Sequence, residues 1–317
     1  MSSFSVRRVA PVLAAACLAV LSACAGEPAS DAGGEPDLGR IPAMLETENI
    51  EFPLSGYAST AAERQKLRRA QDALVARCMS RFGFSYSAPR RPAPPATGNR
   101  YVFGVVDSNE VAQYGYRNPQ SLDGDRERPV RPALSGAERL VLSGADDVDP
   151  QSLPTNQEAA RREGGSDEKV NGRTVPVGGC TREAFLKLYA PKSNAVDIMY
   201  VFNLRSEAES RTRADSRVRR NDTKWSACME KAGYSVSDPM DAAAELGFRS
   251  NEELSSPAAV AAAGADVACK KKVNLVGVRF AVTTAYQERL IDRNAETLAL
   301  ARRQHEQRLE RAAELLS

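Results

Sequence analysis

ALVARCMSRFGFSY, residues 73–86, and TKWSACMEKAGYSV, residues 223–236, say nearly the same thing at an offset of 150 positions. In register, Arg69 matches Arg219, Asp72 matches Asp222, Cys78 matches Cys228, Met79 matches Met229, Gly83 matches Gly233, Phe84 matches Tyr234 and Ser85 matches Ser235. Leu67, Ala70, Leu74 and Cys78 recur at steps of three and four, as do Trp225, Cys228, Met229 and Ala232. That spacing puts each set on one face of a helix. A glycine then falls where helices commonly turn left-handed, and the aromatic after it is placed to pack back on the last turn. Thr60 with Glu63 supplies a T-x-x-E start to the first of these helices.

Two further anchors extend the match. AQYGYR at 112–117 pairs with AELGFR at 244–249, and a later cysteine follows each block, Cys180 in the first copy and Cys269 in the second. The fold expected is mainly α, built from two diverged, disulfide-stapled helical repeats with loop insertions and a long C-terminal helix. Repeat 1 spans 57–191 and repeat 2 spans 192–317.

The first copy is longer because of insertions. RRPAPPATG at 90–98 is a proline-rich spacer, and the segment from Asn118 to Gly179 is turn-rich, which predicts surface loop. The exception within it is SGAERLVLSG, where Ser135 and Glu138 form a capping-box pair. Acids such as Asp123 and Asp125, or Asp146, Asp147 and Asp149, lack calcium-loop spacing and read as solvated turn residues. From Val273 to Leu316 apolar positions recur at steps of three or four with no proline, which predicts one long amphipathic helix passing through Asn294.

The leader carries Arg7 and Arg8, no acid, and an apolar run of 15 residues from Val9 to Ala23, short of a membrane span. Leu21, Ser22, Ala23 and Cys24 resemble the lipobox of bacterial lipoproteins. That resemblance implies cleavage after residue 23 and diacylation of Cys24, with the mature chain on the outer face of the cytoplasmic membrane or in another envelope leaflet. Acyl chains at about 0.8 kcal/mol per buried methylene hold a protein firmly when two or more are present. The segment 24–56 begins AGEPASDAGGEPDLGR and reads as a flexible tether.

Charge is nearly balanced, 43 Lys plus Arg against 41 Asp plus Glu, which argues against a nucleic-acid partner. Of six cysteines, Cys17 leaves with the leader and Cys24 takes lipid, so Cys78, Cys180, Cys228 and Cys269 remain. Four thiols in an exported chain suggest two disulfides. If each repeat is a folding unit, Cys78 joins Cys180 and Cys228 joins Cys269. The rival pairing links Cys78 to Cys228 and Cys180 to Cys269.

No metal site is expected, because no two of these cysteines lie two to four residues apart and His305 is the sole histidine. No phosphate loop, G-x-S-x-G elbow or H-E-x-x-H helix occurs, so neither a cofactor nor an enzymatic activity is expected. A carboxylate pair acting on wall polymers is the alternative, although the single tryptophan and 6% aromatics offer little to line a polysaccharide cleft.

The lipobox, WSACMEKAGY at 225–234, VDSNEVAQYGY at 106–116, VGGCTREA at 177–184 and YQERLIDRNAETL at 286–298 together are similar to a family of lipoproteins of GC-rich actinobacteria for which no activity is established. The resemblance implies export and disulfides. The function expected is a binding or scaffolding role in the cell envelope, with a transport or export complex or the cell wall as partner. A small-molecule binding lipoprotein is a further alternative, weakened by the lack of alternating strand and helix.

Overall fold

Twelve α-helices and one minimal hairpin make up the described residues of the computed structural model, which covers 34–44, 47–89, 99–119 and 133–317. The leader with Cys17 and Cys24, the 90–98 spacer and Asp123 and Asp125 lie outside the described residues. In chain order the helices are α1 (Ala61–Arg81), α2 (Ser108–Tyr114), α3 (Gly136–Ser143), α4 (Gln157–Glu163), α5 (Gly179–Tyr189) and α6 (Tyr200–Ala214). There follow α7 (Ser216–Lys231), α8 (Ala242–Glu245), α9 (Asn251–Leu254), α10 (Pro257–Lys272), α11 (Leu275–Arg293) and α12 (Ala295–Leu316). The hairpin pairs β1 (Lys169–Val170) antiparallel to β2 (Arg173–Thr174). The fold is thus mainly α, with two disulfides and a long last helix. No helix among the described residues is long and apolar enough to cross a membrane.

The repeated motif is a helix terminus. Gly83 N donates to Ser80 O at 3.0 Å and Phe84 N to Met79 O at 3.2 Å; Gly233 N donates to Glu230 O at 3.0 Å and Tyr234 N to Met229 O at 3.0 Å. This is the Schellman pair of bonds, made twice by the same residue pattern. Gly83 and Gly233 take the left-handed turn at φ 82° and 92°. Helix starts are equally local: Thr60 with Glu63 and Ser135 with Glu138 form the expected capping boxes, and Ser250 with Glu253 forms a third.

Each motif ends in its own core. Val75, Cys78, Met79 and Phe82 of the first meet Val141, Val175, Cys180 and Ala184, so α1, α3 and α5 close around one disulfide. Trp225 and Met229 of the second meet Val236, Ala242, Cys269 and Leu275 around the other. Fully buried side chains of this size contribute roughly 1.5–3 kcal/mol each. A further cluster joins Leu204, Ala208, Val218, Val282, Leu290 and Leu298 beneath Leu54 of the 3-10 turn Pro53–Tyr57. Ala232, expected on the inward face, is exposed, because the helix has already ended there and its N–H serves the closing turn.

The two halves exchange elements. α12 from the second half lies along α1 and α5 of the first, where Ala312 packs with Leu67, Ala70 and Leu188. α2 from the first half packs on α10 of the second, with Val111 against Ala263 and Val267. AQYGYR and AELGFR meet each other there: the rings of Tyr116 and Phe248 lie 6.3 Å apart.

Three expectations need correction. The C-terminal segment is not one helix, because α11 ends at Arg293 and α12 starts at Ala295. Asn294 takes φ −117° between them, its amide donating to Leu290 O at 2.7 Å while its carbonyl accepts from the Tyr200 hydroxyl at 2.6 Å. A polar side chain that binds the ladder is an ordinary cause of a helix break. The tether is seated from Pro36 onward: Ile50, Phe52 and Leu54 are buried, Leu38 packs on the core, and Asn274 holds Pro42 O and Met44 N at 2.9 and 3.2 Å. The insertion expected to be loop holds α4, the hairpin and the wholly buried Val175 as well as α3.

Candidate functional site

Cysteine chemistry is closed off first. Sulfur bridges join Cys78 to Cys180, with Cα atoms 5.5 Å apart, and Cys228 to Cys269, at 5.7 Å, so these four residues carry no free thiol. His305, on α12, has Nε2 3.5 Å from a Glu63 carboxylate oxygen, an ion pair when the ring is protonated. Asp149 caps the 3-10 turn Pro150–Ser152 through Gln151 N at 2.9 Å, the solvated turn role expected of it. Cys24 lies outside the described residues.

Beside the first disulfide is a groove of about 460 Å³. That is within the range of small-molecule sites. Its walls come from the ends of α1 and α4, from β2 and from α5, over a floor that includes Phe82, Pro176 and Leu186. Arg81, Arg161, Arg173 and Lys187 line it, with Glu183 as the one carboxylate among the described lining residues. Arg81 and Lys187 both ion-pair with Glu183. Burial works to raise the Glu183 carboxyl, but hydrogen bonds from Lys187 and Arg81 outweigh it and hold the group below its ordinary range. Arg161 and Arg173 are exposed, and no ion pair from either is present among the described residues. Arg81 and Arg161 sit at helix C-termini, whose partial negative charge they complement. With four cations against one carboxylate, the groove carries a net charge of +3, and Arg161 and Arg173 are the two cations that do not touch Glu183.

Near the second disulfide, a pocket of about 190 Å³ runs in to a buried ion pair. Asp266 is 0% and Lys270 2% exposed. Lys270 Nζ donates to Asp266 Oδ2 at 3.0 Å and to Val105 O at 3.2 Å, while Trp225 Nε1 donates to Asp266 Oδ1 at 2.9 Å. Burial pushes the Asp266 carboxyl up and the Lys270 ammonium down, each against the pull of its partner. Tyr116 and Tyr101 line the same pocket with buried hydroxyls that make no hydrogen bond of normal geometry. Burial raises both; Tyr101, with the Glu110 carboxylate beside it, is pushed up to about 12. Gly104, at φ 70°, leaves the ammonium open to the pocket, since a Cβ there would sit 3.0 Å from Nζ.

A second ion pair joins α11 to α7. Arg279, 4% exposed, donates from Nη2 to both oxygens of Asp222 at 2.8 Å.

Sequence reasoning passed over Asp266 and Lys270. One is a lone acid in an alanine-rich helix and the other the first of three consecutive lysines, so neither forms a motif. A signal was present: Ala259, Ala262, Ala263, Val267 and Cys269 mark the buried face of α10, and Asp266 falls within it. A buried face holding an acid and a lysine four residues apart is a paired charge.

The chain matches no family model, no curated protein and no solved structure.

Proposed function

We propose that this chain is an extracytoplasmic lipoprotein, anchored through Cys24, that binds an anionic component of the cell envelope in the groove beside Cys78–Cys180. Three features support the reading. The leader ends in a lipobox, and its resemblance to actinobacterial lipoproteins carries the same implication. The two disulfides suit an oxidising compartment. The observation that carries the binding role is the groove itself, where Arg161 and Arg173 stand exposed, with no ion pair among the described residues, beside the apolar Phe82, Pro176 and Leu186. Arginine forks suit carboxylate or phosphate oxygens. The partner belongs to an envelope transport or export complex or to the wall.

The wall-hydrolase alternative needs two carboxylates facing across a cleft. In this groove Glu183 is the one carboxylate among the described lining residues, and two cations already hold it.

The test is made in cells with an intact envelope. A photo-crosslinking residue in place of Arg161 captures one discrete protein or glycan of the envelope, and the yield falls with Arg173→Gln. A crosslink indifferent to Arg173→Gln, or none at all, overturns the groove reading. Cys24→Ala moves the protein from the membrane fraction to the soluble one; retention in the membrane overturns the anchor.

A further inference from the structure

We propose that the pocket over Asp266 and Lys270 is a binding site for a small carboxylate with a short apolar body. The claim concerns a different cavity from the groove and does not depend on it.

A buried lysine and aspartate are an expensive way to fill a core. Apolar residues of the same volume commonly serve stability as well or better. The pair is retained here at the end of a cavity, and its hydrogen bonding is incomplete on one side only. Both Asp266 oxygens are engaged, by Trp225 and by Lys270. An ammonium carries three N–H groups, and Lys270 uses two, toward Asp266 and Val105. The hydroxyl of Tyr116, buried beside the pair, has no partner of normal geometry. Beside an Asp266 carboxylate whose charge Lys270 matches, the pocket therefore offers one further ammonium N–H and the Tyr116 hydroxyl as donors. The complement is a group with several acceptor lone pairs and a negative charge, which at minimum size is a carboxylate.

Val105, Pro239, Met240, Ala242 and Ala243 also line the cavity, together with Tyr101 and Asn118, so the remainder of the ligand is short and mainly apolar. The cavity volume of about 190 Å³ has room for a short-chain acid. Gly104 bears on access. Its missing side chain keeps the approach to Nζ clear, and its positive φ is one that larger residues rarely adopt.

Calorimetric titration of the whole protein with butyrate, butyramide and inorganic phosphate tests this. Butyrate is expected to bind saturably at one site. Butyramide, which keeps the shape and loses the charge, is expected to bind at least about tenfold more weakly, since hydrogen bonds to charged groups are the stronger ones. Tyr116→Phe removes a hydroxyl that lies against Asp266 without a hydrogen bond of normal geometry, so it changes the melting temperature little while weakening butyrate binding severalfold. Arg161→Gln leaves butyrate binding unchanged, which separates this pocket from the groove. Absence of saturable butyrate binding, equal affinity for butyramide, or indifference to Tyr116→Phe would each overturn the proposal and leave the cavity a water-filled one. Phosphate binding that Arg161→Gln abolishes, without butyrate binding, overturns it equally and assigns anion affinity to the groove alone.

Discussion

Trp225 donates its indole N–H to Asp266 at 2.9 Å in a place closed to solvent, and so ties the second copy of the repeated motif to the buried charge of α10. Removing one partner of such an arrangement is far worse than removing both. Asp266→Ala strands the Lys270 ammonium and is expected to cost about 3–5 kcal/mol. The double variant Asp266→Leu with Lys270→Met lacks any buried charge and is expected to recover most of that loss. Urea titrations at constant m-value read both. A double variant less stable than Asp266→Ala would show that the pair contributes net stability to the fold.

The two closing glycines separate backbone strain from packing. Alanine at Gly233 would meet nothing within 4 Å, and at Gly83 only Asn171 Nδ2 at 3.7 Å. Each substitution is then charged with the left-handed conformation alone, about 1–2 kcal/mol, and the two costs should agree. Gly115→Ala is expected to cost more than either, because its Cβ would lie 2.5 Å from Leu254 O at the contact between α2 and α9. Melting temperatures of the three variants rank them, and equal losses at all three sites would contradict the assignment.

Those glycines also show what the chain states openly. C-M-x-x-x-G-aromatic specifies a helix end through bonds among six neighbouring residues, so the motif could be read without knowing anything distant. Thr60 and Glu63 or Ser135 and Glu138 are local in the same sense. Pairing between distant elements is different. Nothing near Val111 says that it meets Ala263, and nothing near Ala312 says that it meets Leu67. The two repeats were legible in the sequence, but the interlocking of their elements was not. The break at Asn294 was hidden for the same reason, since its partner Tyr200 is 94 residues away. The pocket was the least visible feature, because a buried charge pair is recognised by its surroundings more than by its spacing.

The disulfides close loops of different length, with sequence separations of 102 for Cys78–Cys180 and 41 for Cys228–Cys269. Loop entropy gives about 4.7 and about 3.9 kcal/mol, a difference smaller than the strain either variant introduces. Replacing both cysteines of either bridge by alanine should destabilise the protein by about 4 kcal/mol in each case. Denaturant midpoints of the two double variants check this. A much larger loss for the shorter loop would mean that packing of Trp225 and Met229 depends on the bridge beyond its effect on the unfolded chain.

Acid should act on the groove through Glu183. Glu183 has an ordinary value of 4.5 and is held below it by Lys187 and Arg81 against the opposing effect of burial. A carboxyl lowered in the folded state contributes stability that is fully present above its unfolded value and lost as pH falls through its folded one. Stability is thus expected to decline below about pH 4.5, with a shallower decline in Glu183→Gln. Identical acid slopes for that variant and the parent would remove Glu183 from the account.

The seated arm between Pro36 and Met44 offers the last and most local test. Asn274, in the left-handed conformation at φ 52°, holds both sides of it by accepting from Met44 N and donating to Pro42 O. Gly277 makes the approach possible, since a Cβ there would fall 2.0 Å from Pro42 O. Gly277→Ala therefore cannot keep the arm where it is. The helix has other cores beneath α11, so the expected outcome is release of the arm with a loss of about 1–3 kcal/mol and not unfolding. Limited proteolysis should cut the 36–44 segment faster, and amide exchange at Met44 should quicken. Asn274→Ala should do the same by a different route, removing two hydrogen bonds without overcrowding. If the arm stays protected in both variants, its seating rests on Leu38, Ile50 and Phe52 instead.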